Sequence, residues 1–318
     1  MTVFLVLLLA HLIADFITQT SSINYTKRQF SSRFFSQSLI YHCLHHFVVS
    51  LILAVIFLEW RPIYLVMIFL ITFSHYLIDM IKIKWDDLKI GVISDKKRKD
   101  LSWIELLSDK NTPFFIIDQL FHLVSIYSVL YLFNLHFTII EFNQLFSLDT
   151  YQDEALTRLL VILILLVIIT YPAAYFISML MSDFNGQKGI IEAAATLESE
   201  NEQIRQMKDN VSDLETDVLI TESYQEKSDN YALQIQYHQY NQASENPRGR
   251  YIGILERLLI VILVVQNLYQ GLALIIAMKT LTRFKQFDDK NFAEYYLIGT
   301  LLSLIIGVIT ALIINKVW

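Results

Sequence analysis

The chain of 318 residues contains one cysteine, Cys43. A single thiol excludes a disulfide within the chain and any multi-cysteine zinc site, so a metal held here is held by nitrogen and oxygen. Charge is also sparse. Charged residues make up 18% of the chain, and the formal net charge of −6 is concentrated in one polar region, a balance that excludes nucleic acid as a partner. The N-terminal apolar stretch lacks a basic leading region and a small-residue cleavage site, and His11 and Asp15 interrupt it. It reads as a retained first span and not as a removed targeting peptide.

What the chain has is hydrophobicity. Apolar residues account for 54% of it and its mean hydropathy is +0.44. That composition predicts an all-α, polytopic transmembrane helix bundle, since each crossing needs about 20 mostly apolar residues. Candidate spans cover 2–18, 39–58, 62–83, 113–133, 156–181 and 294–314. A further apolar stretch, 251–284, would be about 50 Å long as one helix, too long for a hydrocarbon core of about 30 Å. QNLYQG at 266–271 is the expected break, giving two short helices that form a hairpin or re-enter. The total is seven to eight membrane segments. Lys27, Arg28 and Arg33 in the first loop, with KIKWDDLK (82–89) and DKKRKD (95–100) in the third, place those loops in the cytoplasm and the N-terminus outside. The second loop has only Arg61, and 134–155 has no Lys or Arg. The basic loop at 279–290 is cytoplasmic only if 251–284 crosses an even number of times, which supports the hairpin.

Four parts follow: a membrane core (1–134), a loop and fifth span (135–183), a polar insertion (184–250) and a C-terminal hairpin with the last span (251–318). In the insertion, Ile190, Leu197, Ile204, Val211 and Val218 recur every seven residues. This fits a cytoplasmic coiled coil through which the chain forms a homo-oligomer over 190–218, one arm of a helical hairpin, or a solvated amphipathic helix.

Four apolar segments carry ionisable pairs four residues apart: His11/Asp15 in HLIAD, His42/His46 in HCLHH, His75/Asp79 in HYLID and Asp118/His122 in DQLFH. Residues i and i+4 share a helical face. With alternating spans, all four pairs fall at a similar depth, toward the cytoplasmic side. One such pair is ordinarily a packing bridge. Four at one depth supply a ligand set for one or two divalent transition ions, with His and carboxylate suiting Zn²⁺, and also Mn²⁺ or Fe²⁺. His11, Asp15, His42, His46, His75, Asp79, Asp118 and His122 are the expected ligands, and Asp118 can serve instead as a catalytic base. His45 lies about 60° off the face of its neighbours.

HLIADFITQ (11–19), the histidines at 42–46, HYLIDMIK (75–82) and DQLFH (118–122) resemble bacterial integral-membrane proteins of domain of unknown function 3307. The resemblance extends to GRYIGILERLLI (249–260), KTLTRF (279–284) and EYYLIGTLLS (294–303). It implies a multi-pass protein of the bacterial cytoplasmic membrane and no particular activity. A weaker likeness is to membrane-bound metal-dependent hydrolases, which carry His-x-x-x-Asp on membrane helices.

Four functions compete. In a metal-dependent hydrolase of a lipid or phosphorylated substrate, a bound ion activates water, and Arg257, Lys279 and Arg283 bind the anionic group. The alternative for those three is snorkelling or pairing with Glu256 and Glu294. A divalent-ion transporter is suggested by likeness to cation-diffusion exporters, but places its donors at midplane. A di-iron oxidase is suggested by the His-x-x-His-His of HCLHH, yet the chain has just eight histidines. The last is a non-catalytic, metal-stabilised membrane scaffold or signalling protein.

Overall fold

The computed structural model of the chain describes residues 1–18, 37–94, 111–138, 155–184, 189–195, 217–227, 230–240, 247–288 and 290–318. The membrane portion is helical throughout. In order come α1 (Thr2–Leu12), continued by a π turn (Ile13–Ile17), then α2 (Gln37–Phe57), α3 (Ile63–Ser94) and α4 (Asn111–Leu132). After these come α5 (Ala155–Ile169), α6 (Tyr171–Phe184), α7 (Pro247–Val265), α8 (Gln270–Thr282) and α9 (Lys290–Val317). Five helices are long and apolar enough to cross a membrane: Gln37–Phe57, Ile63–Lys84, Thr112–Leu132, Ala155–Phe184 and Phe292–Val317. Thr2–Ile17 and Gln270–Thr282 are shorter apolar helices. α7 carries Arg248, Arg250, Glu256 and Arg257, too many charges for a plain lipid-facing span.

α1 is central. Its residues Phe4, Leu5, Val6, Leu7, Leu9, Ala10, His11 and Leu12 are buried, so nearly every face is covered, and it packs on α2, α4 and α5. A helix apolar all round belongs in such a position. One core joins α1 to α5, while a second joins Ile169 to Ile260, Val261 and Val264 of α7 and Ala311 and Ile314 of α9. α7 and α9 approach closely at Gly307, where an added Cβ would lie 2.9 Å from Ile260 Cγ2.

α5 and α6 are interrupted at Thr170–Tyr171–Pro172. Proline brings no N–H, so the backbone ladder breaks in a region without water to repair it. Arg257 of α7 closes the gap: Nε donates to the Ile169 carbonyl, Nη2 to the Thr170 carbonyl at 3.0 Å and Nη1 to Ser303 Oγ at 3.4 Å.

The expected break in 251–284 is present. Asn267 adopts φ 59°, Leu268 N–H bonds to Leu263 O at 2.7 Å and Asn267 N–H to Val264 O at 3.0 Å. Those two bonds define a Schellman cap. α4 ends identically: Asn134 has φ 56°, with Leu135 N–H to Leu130 O at 2.9 Å and Asn134 N–H to Tyr131 O at 3.1 Å.

The insertion differs from the expected coiled coil. Gly189–Ala195 (β1), Asp217–Lys227 (β2) and Asn230–Tyr240 (β3) form an antiparallel sheet in the order β1-β3-β2. Ile190 and Ala193 therefore lie on a strand, as does Val218, and only the middle of the heptad run, 196–216, falls outside the described residues. The physical cause is the two-residue alternation of LQIQYHQ at 233–239, which suits a pleated strand and defeats a 3.5-residue repeat. The basic residues Lys27, Arg28 and Arg33 and the segment 95–100 also fall outside the described residues.

Only glycine tolerates the left-handed region better than asparagine. Asn134→Gly and Asn267→Gly should therefore preserve or slightly raise the thermal midpoint in detergent. Asn134→Val and Asn267→Val should each cost about 1–2 kcal/mol, and equal midpoints for the Gly and Val variants would contradict the caps.

Candidate metal centre

Helices α1 to α4 run alternately up and down, and the four pairs are written to compensate. α1 and α3 read His-x-x-x-Asp, α4 reads Asp-x-x-x-His, and α2 reads His-x-x-x-His. Folding turns these into two stacked layers. One is a closed set of imidazoles: ring centroids are 5.4 Å apart for His11–His46, 3.9 Å for His46–His75, 4.4 Å for His75–His122 and 4.9 Å for His11–His122. The other, one turn away, holds Asp15, His42, Asp79 and Asp118. The five histidines, Asp79 and Asp118 are all buried, and the Asp15 side chain is 12% exposed.

The layers touch through Asp15 and His75. Asp15 Oδ1 lies 2.9 Å from His46 Nε2, 3.1 Å from His42 Nε2 and 3.8 Å from His75 Nε2, while Oδ2 lies 3.5 Å from His11 Nε2. His75 Nε2 is 3.1 Å from His42 Nε2 and 3.8 Å from Asp79 Oδ2, which is 3.7 Å from His42 Nε2. Donors at about 2.0–2.2 Å from a tetrahedral ion stand about 3.3–3.6 Å apart, a spacing that the observed 2.9–3.8 Å edges bracket. Three overlapping groups could hold an ion, each with ligand atoms within 4.8 Å: His11/Asp15/His46/His75, His42/His75/Asp79 and Asp79/Asp118/His122. His75 and Asp79 each belong to two.

His122 tests the fit. Its Nδ1 is 2.8 Å from the Asp118 carbonyl, an oxygen that only accepts, so Nδ1 carries the proton and Nε2 keeps the lone pair. A backbone carbonyl fixing the far nitrogen is the usual support of a ligating imidazole. Nε2 is buried without a hydrogen-bond partner among the described residues, 3.9 Å from Asp79 Oδ1. Two lone-pair atoms facing each other are stabilised by a cation between them. The residues present fit a divalent ion.

One participant escapes a reading of pairs alone. Lys82 Nζ donates to Asp118 Oδ2 at 2.6 Å, its side chain 45% exposed. His75, Asp79 and Lys82 stand at i, i+4 and i+7, one continuous stripe of α3, and that spacing is the signal that identifies it. Lys82 holds one oxygen of Asp118, while Oδ1 is buried without a hydrogen-bond partner among the described residues. The π turn at Ile13–Ile17 is a second such feature. It centres on Asp15 and is closed by Thr18, whose N–H bonds to Ile13 O at 3.0 Å. Turns of this kind recur at functional sites.

The remaining expected residues go elsewhere. His45 is exposed, outside both layers, so the His-x-x-His-His of α2 contributes two ligands and not three. Arg257 is buried with its donors on Ile169 O, Thr170 O and Ser303 Oγ. Lys279 Nζ donates to Glu256 Oε2 at 2.6 Å, and exposed Arg283 stacks over Phe292 and Tyr296 at 5.9 Å from each ring. Glu294 lies 3.7 Å from Lys290. The depth also differs from expectation. His122 is the middle residue of Thr112–Leu132, His46 is one residue from the middle of Gln37–Phe57, and His75 is within two of the middle of Ile63–Lys84. The imidazole layer thus sits at mid-length, with the aspartates one turn toward the end that carries Lys82.

Residues 3–148 match the family model described as "Protein of unknown function (DUF3307)". The match contains all four helices of the two layers and does not reach 249–303. No curated protein and no solved structure matches the chain.

Two outcomes follow. Elemental mass spectrometry of the detergent-purified protein should find near-stoichiometric divalent transition metal. The His75→Ala/Asp79→Ala double variant, which damages all three groups, should lose it, while His11→Ala retains more. Arg257→Ala should destabilise the fold by about 1–3 kcal/mol, chiefly by orphaning the Ile169 carbonyl, yet leave the metal content of the folded fraction unchanged. Loss of metal in that variant would give Arg257 a role at the centre.

Proposed function

We propose that the chain is a multi-pass metalloenzyme of a bacterial cytoplasmic membrane, a metal-dependent hydrolase of a phosphate ester on a lipid or other membrane-bound substrate. The observation that carries it is the pair of ligand groups with no member in common, His11/Asp15/His46/His75 and Asp79/Asp118/His122, bridged by His42/His75/Asp79. A donor set of that size accommodates two neighbouring divalent ions, the arrangement that suits phosphoryl displacement. Bound ions would supply Lewis acidity at the phosphoryl oxygens.

The chain's own groups supply the rest. Half-exposed Lys82 marks the side from which an anion approaches, and the basic segments near it make that side cytoplasmic by the distribution of Lys and Arg. Asp118 then acts as base and not as ligand: with its other oxygen held by Lys82, its Oδ1 accepts the proton of the attacking water, and Asp79 and His122 are left to hold the second ion. The P–O bond to the leaving group breaks as the new P–O bond forms, and the departing oxygen takes its proton from solvent. The apolar residues around the layers exclude competing water.

A second reading, divalent-ion transport, is favoured by the mid-length position of the imidazole layer, since alternating-access sites lie at the midplane. The two separate in one preparation. The metal-loaded protein in lipid nanodiscs should release inorganic phosphate from a lipid phosphomonoester, and Asp118→Asn should lower that rate by about 10²–10⁴-fold with metal content retained. No release, together with protein-dependent uptake of Zn²⁺ or Mn²⁺ into proteoliposomes, would replace the hydrolase by the transporter.

A further inference from the structure

On the side of the imidazole layer away from the aspartates, the same four helices enclose a small cavity. Histidines 11, 46, 75 and 122 border it, and its walls are Leu7, Ile71 and Ile126 with the hydroxyls of Ser50, Thr72 and Ser125. Each wall residue stands three or four positions from a layer histidine, on the side opposite that histidine's partner in the aspartate layer. The cavity has room for about one water. Beyond it the bundle is sealed by Val6, Met67, Ile68 and Leu130, all buried.

Three hydroxyls from three helices are not what apolar packing at mid-length calls for. Ser125 Oγ spends its proton on the His122 carbonyl at 2.9 Å, which leaves its lone pairs for a guest. His75 Nδ1 and His122 Nε2, on two of the bordering rings, are buried without hydrogen-bond partners among the described residues. A polar, one-water space walled by hydroxyls and bordered by ligand imidazoles is what a coordination position needs when protein fills the others.

We propose that this cavity is the rear coordination position of the metal centre and holds one sheltered water. Ser50, Thr72 and Ser125 hydrogen-bond that water while the adjacent ion coordinates it. The inference rests on the metal reading above. It adds that the centre has two unlike faces: a narrow one with room for a single water, and the Lys82 face where larger ligands arrive.

The test uses the full-length protein loaded with Mn²⁺ alone in H₂¹⁷O, read by electron–nuclear double resonance. Wild type should show a coordinated ¹⁷O, and Ser50→Leu, which fills the space, should lose one coupled ¹⁷O at unchanged Mn²⁺ stoichiometry. Thr72→Val/Ser125→Ala removes two hydroxyls without adding bulk. It should shift or abolish the same coupling, and it decides the matter if Ser50→Leu fails to load. A wild type that binds no Mn²⁺ would overturn the metal reading and this inference together. Mn²⁺ bound with ¹⁷O coupling identical in all three proteins would overturn the rear water alone.

Discussion

Everything near the middle of this bundle answers to one constraint: a bilayer core offers no water, so each buried polar group must be satisfied by another group of the protein or by an ion. Asp15, Asp79 and Asp118 place three carboxylates among five imidazoles, with Lys82 donating to Asp118. Isolated carboxylates in such surroundings are strongly destabilising. Imidazoles help only in part, because the tautomer that donates to one neighbour turns a lone pair on the next. At His122 the backbone settles that choice and leaves a lone pair opposite a carboxylate oxygen. A divalent cation would resolve that conflict.

That requirement explains the order of helices around α1. The pairs must meet at one depth, so antiparallel neighbours need reversed motifs, and α1 must be accessible to several of them at once. Its all-round burial and its short length both follow from being the central element. The π turn at Asp15 fits the same role, because an extra residue in the turn re-aims one side chain without changing the direction of the helix.

Much of this was legible in the sequence, and the limits are physical. Helix existence, the stop near Asn267 and the grouping of the four pairs all follow from local spacing, which covalent geometry fixes. Lys82 sits on the stripe of His75 and Asp79, but within a basic run its charge reads as part of a topological signal and its individual partner is hidden. Its partner Asp118 lies 36 residues away. The apolar windows 39–58, 62–83 and 113–133 already put His46, His75 and His122 within three residues of their middles, but the basic runs beside those windows draw the reading of depth toward the cytoplasmic end. In the insertion two periodicities compete from different segments, the heptads of 190–218 and the alternation of 233–239, whose strand pairs with both ends of the heptad run. A repeat of seven built from five positions is weaker than an unbroken alternation over LQIQYHQ.

Arg257 and the His/Asp layers are both polar groups buried at mid-length, and their difference separates architecture from function. Arg257 fits its surroundings completely: an interrupted backbone exposes carbonyls, a guanidinium supplies fixed donors, and three of its nitrogens find acceptors within the protein. Such a group needs nothing further, and its sequence signature, a lone charge in an apolar run, is easily mistaken for a ligand clamp. The His/Asp layers never reach that closure. Buried nitrogen and oxygen atoms at His75, His122 and Asp118 stay unpartnered among the described residues, and all three residues belong to the ligand groups. In a medium that penalises every unsatisfied group, four helices carrying such a deficit to a single point are arranged for something other than their own packing. A divalent ion could meet that deficit, and half-exposed Lys82 beside Asp118 marks the more accessible side of the layers.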